Sequence, residues 1–189
     1  MDALLAHINK FTPLNADEQQ VISGSFKNIS VKKKAFLLSE GDVCRSSYFV
    51  EKGCLRMYYI TEKGTEQITQ FALENWWLTD HMSLMMQKPS LFFIQAVENA
   101  EVAMLDYNKQ EELLQKVPKM ERYFRLMMQR GYGAMQMRVK YLHDFSKEEA
   151  YLQFSTLFPD FVQRVPQYML ASYLGLTPEY LSEIRKKKQ

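Results

Sequence analysis

"LASYLGLTPEYLSEIRKKK", residues 170–188, governs the reading of the chain, because its pattern specifies two short helices around one tight turn. A helix-turn-helix makes its helices cross steeply within a few residues, which constrains several positions together. With the first helix starting at Gln167, Ala171 is small where the second helix passes over the first. Gly175 can take the left-handed conformation at the turn without steric cost. Leu170, Leu174, Leu176, Leu181 and Ile184 fall where the shared core needs apolar side chains. Thr177 is placed as N-cap, Pro178 at the first helical position, and Glu179 at the positive end of the helix.

On a helical wheel Leu181 and Ile184 point inward, and Glu179, Ser182, Glu183 and Lys186 point the opposite way. If that face meets a major groove, the two glutamates can accept from cytosine amino groups and Lys186 can donate to guanine. Thr177, Tyr180, Arg185, Lys187 and Lys188 lie on the flanks and tip, where phosphate contacts would fix register. Double-stranded DNA is therefore the expected partner. The competing reading is an αα-hairpin with a solvated, charged outer face.

Working upstream, residues 119–143 read as one long helix with two apolar stripes. Met120, Phe124, Met127, Gly131 and Ala134 form one, and Met128, Tyr132, Met135, Val139 and Leu142 the other. A surface helix needs only one buried stripe. Two predict that one side packs on its own domain and the other on a partner copy, with Gly131 and Gly133 permitting close approach. The first stripe is taken as the homodimer seam; the alternative is a central helix buried on several sides within one molecule. Asn15 with Glu18, and Ser146 with Glu149, have capping-box spacing. "NKQEELLQKV" is a short amphipathic helix, and Pro118 suits the start of the next.

Between Ile29 and Asp106 the texture is different. "YFVEKGCLRMYYI", "TEQITQFAL" and "LFFIQAVENAEVAML" are β-rich runs separated by the turn signals "SEGD", "EKGC", "EKGT" and "VENA". Evenly spaced short strands with glycine turns indicate a barrel-like or roll-like β-domain.

With 47% hydrophobic and 24% charged residues, the chain has the composition of a soluble globular protein. A net charge of +2 leaves nucleic-acid binding to local clustering. Lys119, Arg122, Arg125, Arg130, Arg138 and Lys140 supply one cluster, with Glu121 the only acid from Lys119 to His143. Cys44 and Cys54 lack metal-site company and are read as reduced, half-buried thiols. "MDALLAHINKF" lacks signal-peptide character, and no apolar run reaches membrane-spanning length, so a cytoplasmic location without membrane partner is expected. His7, His81 and His143 are scattered, and no nucleophile elbow, P-loop or dinucleotide fingerprint occurs. Neither an enzyme nor a metal site is expected.

A β-roll, a long helix and a terminal helix-turn-helix together resemble the Crp/Fnr family of bacterial transcription regulators. The resemblance is carried by "SEGD", "YFVEKGCLRMYY", "KGTE", "NWWLTDHMSLMMQKPSLFFIQAVENAEVAML", "SKEEAYLQFSTLFP" and "GLTPEYLSEIRKK". The last of these looks like the short form of the family in Bacteroidetes-type genomes. The implied fold class is α+β: a double-stranded β-helix or jelly-roll-like sensor domain (1–118), a long dimerisation helix (119–143) and a helix-turn-helix domain (144–189). The resemblance implies a homodimer on a roughly palindromic DNA site, its recognition helices about 34 Å apart. A small-molecule effector on the roll and contact with RNA polymerase are also implied.

Two departures refine this expectation. Cyclic-nucleotide binders of the family carry a Gly-Glu pair opening a short helix, then an Arg that holds the cyclic phosphate. Here Leu78, Thr79, Asp80 and His81 replace the first region, and Ser90 and Leu91 stand where Arg and its neighbour belong. The nearest cation is Lys88, which has no planar fork, so cyclic AMP is not expected to bind in the usual way. Trp77, Asp80, His81, Lys88 and Ser90 are the candidates for lining a pocket for another effector, which stays unidentified. Tyr48, Phe71, Trp76, Trp77, Phe92 and Phe93 could line such a pocket, with plain roll core the competing reading. An iron–sulfur cluster would need four cysteines where two are present, so no cofactor is expected. The second departure is the family's β-hairpin wing, for which no counterpart is read before Gln189; Glu183 also stands where relatives carry Arg. Reduced affinity and altered base preference are the expected consequences. The rival function is a ligand-sensing or protein-interaction dimer with a degenerate helix-turn-helix.

Overall fold

The structure, a computed structural model, describes residues 1–187, the side chain of Leu142 excepted. Two helices come first, α1 (Asp2–Asn9) and α2 (Ala16–Ser25). The strands follow: β1 (Lys27–Val31), β2 (Phe36–Leu38), β3 (Ser46–Lys52), β4 (Leu55–Ile60), β5 (Glu66–Ala72) and β6 (Trp77–Leu78). The short helix α3 (His81–Met86) precedes β7 (Phe93–Ala96) and β8 (Ala100–Asp106). Helices complete the chain: α4 (Tyr107–Lys116), α5 (Lys119–Asp144), α6 (Lys147–Leu157), α7 (Pro159–Arg164), α8 (Gln167–Leu174) and α9 (Pro178–Lys187). The expected α+β class is borne out: one sheet has the order β1-β8-β3-β6, the other β2-β7-β4-β5.

These elements form two compact units. The first comprises Met1–Tyr59 and Gln70–Gln129; the second comprises Ile60–Thr69 and the chain from Arg130 onward. The division falls inside α5 rather than at its ends, and it assigns the β4–β5 turn to the second unit.

In the first unit the middle of β3 and of β8 is buried on both faces, with Tyr48, Phe49 and Val50 consecutive in β3 and Val102 and Ala103 in β8. Leu38, Val50, Leu55, Ile94 and Val102 fill the roll interior. Phe49, Ala103 and Leu105 point the other way and meet Leu4, Ile8, Ile22, Phe26, Leu113, Met120 and Tyr123 from the flanking helices. The expected half-burial of the cysteines is corrected: Cys44 and Cys54, neither in a disulfide, are both 0% exposed. Strand β3 runs into the β3–β4 turn, where Gly53 has a φ of 100°. In the second unit Tyr151, Phe161, Val165, Met169, Leu170, Ala171, Leu176, Leu181 and Ile184 are buried. Both expected capping boxes are formed, at Asn15–Glu18 and Ser146–Glu149. Among the described residues no helix is long and apolar enough to cross a membrane.

Candidate nucleic-acid interface

The helix-turn-helix is built from local signals. Helix α8 begins at Gln167 and ends at Gly175, whose φ of 68° makes it the left-handed C-cap. The amide of Leu176 returns to the Ala171 carbonyl at 2.9 Å and closes the turn. Thr177 Oγ1 accepts the Tyr180 amide at 3.2 Å, the bond an N-cap makes. Leu181 and Ile184 of α9 are 0% and 2% exposed, against α8 and the rest of that unit's core. Leu174, expected in this core, is only half-buried.

Burial of that stripe fixes what the opposite side presents. Glu179, Glu183, Lys186, Thr177 and Lys187 are exposed; Ser182, Tyr180 and Arg185 are half-buried. Lys187 Nζ stands 4.0 Å from a Glu148 carboxylate oxygen, at the outer limit for an ion pair. Lys188 lies outside the described residues. The exposed face is thus mixed, with two carboxylates and cations concentrated toward the helix C-terminus.

The stripe expected to form the dimer seam is corrected in part. Met120 is 0% exposed, and Phe124 and Met127 pack against the same helix-side core of the first unit. Tyr123 is fully buried beside them, so this face of α5 is already occupied. Gly131 and Ala134 are exposed. The other stripe stands open: Met128, Tyr132, Met135 and Val139 are each about half exposed or more. Periodicity reveals two stripes, but only tertiary packing decides which one the roll covers.

The five residues proposed for an effector pocket are not brought together. Trp77 turns to the helix side, where its ring meets Phe26, Phe49, Tyr123 and Phe124 and its Nε1 donates to Tyr123 Oη at 2.9 Å. His81 and Lys88 are exposed. Asp80 and Ser90 do meet, but they satisfy each other. Asp80 is 5% exposed and caps α3. Its Oδ1 accepts the amides of Met82 and Ser83 at 3.0 and 3.1 Å, and its Oδ2 accepts Ser90 Oγ at 2.6 Å. The amide nitrogens that an anion would use at this helix end already serve an anion of the chain itself. A hollow of about 510 Å³ lies elsewhere, between β2 and the 41–46 segment, and includes Arg45, Asp42 and Tyr48. None of the five lines it. Among the described residues no group of three His, Cys, Asp or Glu could hold a metal.

Residues 28–117 match the model of the cyclic nucleotide-binding domain. Over 167 residues the chain is 29% identical to the anaerobic regulatory protein of Haemophilus influenzae, covering 82% of this chain and 63% of the relative. It is 30% identical over 165 residues to the fumarate and nitrate reduction regulatory protein of Vibrio cholerae, covering 82% and 65%. The chain thus spans less than two thirds of the length of these two relatives. The fold is similar to that of FixK2 from Bradyrhizobium japonicum, with TM-score 0.70 and 17% identity over 86% of this chain and 83% of that one. It is also similar to the c-di-GMP responsive global regulator CLP of Xanthomonas campestris, with TM-score 0.72 and 13% identity over 93% and 92%. The match to a cyclic nucleotide-binding domain and the likeness to these regulators over 82% of this chain agree with the resemblance to the Crp/Fnr family that the sequence carries.

Proposed function

We propose that the chain is a homodimeric transcription regulator that binds double-stranded DNA through α9. The observation that carries this reading is the division of α9: Leu181 and Ile184 are buried, and Glu179, Glu183 and Lys186 stand exposed on the opposite face. In a major groove, Glu179 and Glu183 would accept from cytosine amino groups and Lys186 would donate to guanine. Thr177, Tyr180, Arg185 and Lys187 would hold the phosphates that set register. The second copy would dock on the open stripe of α5, Met128, Tyr132, Met135 and Val139. RNA polymerase and an effector of unassigned chemistry are the remaining partners in this reading, with cytoplasm as the compartment.

Cyclic AMP is not the effector in this proposal. Its phosphate would meet the Asp80 carboxylate at the α3 N-terminus, and Ser90 supplies no charge to offset the repulsion.

A salt titration on random duplex DNA tests the first reading. Binding that weakens with a log–log slope of about −0.9 per phosphate contact is the expected result. Replacing Lys186 and Lys187 with alanine should weaken binding across all sequences, whereas Glu179→Ala should change preference at one base position. Salt-independent or absent binding overturns the proposal. For the roll, calorimetric titration with cyclic AMP should give no saturable heat.

A further inference from the structure

Strand β5 ends its sheet, so the outer edge of Glu66–Thr69 presents backbone groups to no further strand. Such an edge ordinarily stays wet or recruits another chain. Within the second unit it is covered instead by two helices. Ser172 of α8 acts as a one-residue strand substitute: its Oγ donates to the Glu66 carbonyl at 2.7 Å and accepts the Ile68 amide at 2.9 Å. Gln67 returns the bond, its Nε2 donating to the Ser172 carbonyl. Arg138 of α5 takes the next carbonyls along. One guanidinium nitrogen donates to Thr69, and another donates to the Tyr173 carbonyl of α8 at 3.0 Å. The same guanidinium lies 4.2 Å from the Tyr173 ring centroid. Arginine alone supplies this combination, a planar fork for two carbonyls and a cationic face for the ring.

Resting on the reading of α8 and α9 as a DNA-binding head, we propose that Arg138 and Ser172 are positioning residues for that head. They join the 60–69 turn and α8 into one body. Strand β5 passes at Gln70 into the first unit, so a shift of β5 in the roll reaches α8 directly. The long helix is then a second route rather than the sole one. The tip itself is pinned, with Thr61 and Thr65 sharing a 2.9 Å backbone bond and a 2.7 Å hydroxyl contact, so the turn moves as a piece.

The full chain is compared as wild type, Ser172→Ala, Arg138→Gln and Arg138→Lys. Hydrogen exchange should rise roughly fivefold in both the 60–69 and 167–174 peptides of Ser172→Ala and Arg138→Gln, the loss of about one net hydrogen bond. Arg138→Lys, with charge but no fork, should restore part of the protection. On random duplex DNA these variants should bind more weakly with an unchanged salt slope, because no phosphate contact is removed. A slope smaller by about 0.9 makes Arg138 a direct DNA contact and overturns the positioning role. Exchange that rises in one peptide alone, or in neither, overturns the joint body. Failure of wild type to bind any duplex overturns the DNA reading itself, a result separable from the exchange data.

Discussion

Single residues divide into those whose role is local and those whose role is set at a distance. Gly175 and Gly53 both sit at positive φ, 68° and 100°, yet they should respond differently to substitution. A Cβ at Gly175 would meet nothing within 4 Å, so Gly175→Ala costs only the left-handed conformation, about 1–2 kcal/mol. A Cβ at Gly53 would stand 2.7 Å from Ala100 Cα and from the Asn99 carbonyl oxygen, backbone atoms that cannot simply rotate away. Overpacking then adds roughly 1–3 kcal/mol to the conformational cost. Urea denaturation of the two variants should rank Gly53→Ala well below Gly175→Ala, and equal losses would refute the steric account. Asp80 is a case of action at a distance. Asp80→Ala removes the cap of α3 and should cost about 1 kcal/mol by the same measurement. The Ser90 hydroxyl limits the damage, because the Phe92 carbonyl lies 3.2 Å away as a second acceptor. Gly175 was legible in the sequence because a turn needs φ > 0 from one residue. Asp80 was not: the sequence offers it only as a pocket candidate, and its true partner, Ser90, is ten positions away in a fold that sequence spacing does not display.

At the scale of elements, helix ends were read well and helix faces less so. Both capping boxes were legible because each involves residues three apart, a spacing the chain itself fixes. Their acid response follows from the charge of the glutamate. The Asn15 amide, then the Lys119 side chain, hold Glu18 below its ordinary value of 4.5. The Ser146 hydroxyl and amide do the same for Glu149. A carboxylate with a depressed pKa in the folded state adds stability above its ordinary value, and that stability is lost as pH falls through the folded value. Carboxyl carbon shifts followed by NMR should therefore titrate below 4.5 for both residues. Glu18→Gln and Glu149→Gln should each flatten the acid limb of the stability curve. A titration at or above the ordinary value would sink the assignment. The faces of α5 were harder, since a heptad count separates two stripes without ranking them. The roll covers Met120, Phe124 and Met127 because they lie on the turns nearest α4, where Leu113 and Val117 already extend the same core. Missed in the sequence were β1, β2, β6, α1, α3 and α7, elements of eight residues or fewer and thus too short to set a period. The latch between Ser172 and β5 joins residues more than a hundred positions apart and leaves no local signal.

For the molecule as a whole, the decisive quantity is what remains uncovered once each unit has closed its own core. On α5 that remainder is Met128, Tyr132, Met135 and Val139, a stripe of spacing 4, 3 and 4 with Tyr132 68% exposed. This is the a/d rhythm by which two helices pack along a common seam. A partner copy would remove it from water, and each large side chain buried there contributes roughly 1.5–3 kcal/mol. Placing a charge in the seam reverses that gain, because the carboxylate must either stay hydrated and open the interface or lose water without a partner. Tyr132→Glu with Met135→Glu should therefore convert the chain to monomer in sedimentation experiments while leaving its folded far-ultraviolet signal intact. Duplex affinity should fall steeply in the same variant, since two linked heads bind a two-part site far more tightly than one. The substitution touches neither α8 nor α9, so a head that binds through one copy alone would keep its affinity. A dimer that survives both glutamates places the seam elsewhere. A monomer that binds DNA as tightly as wild type removes dimerisation from the mechanism.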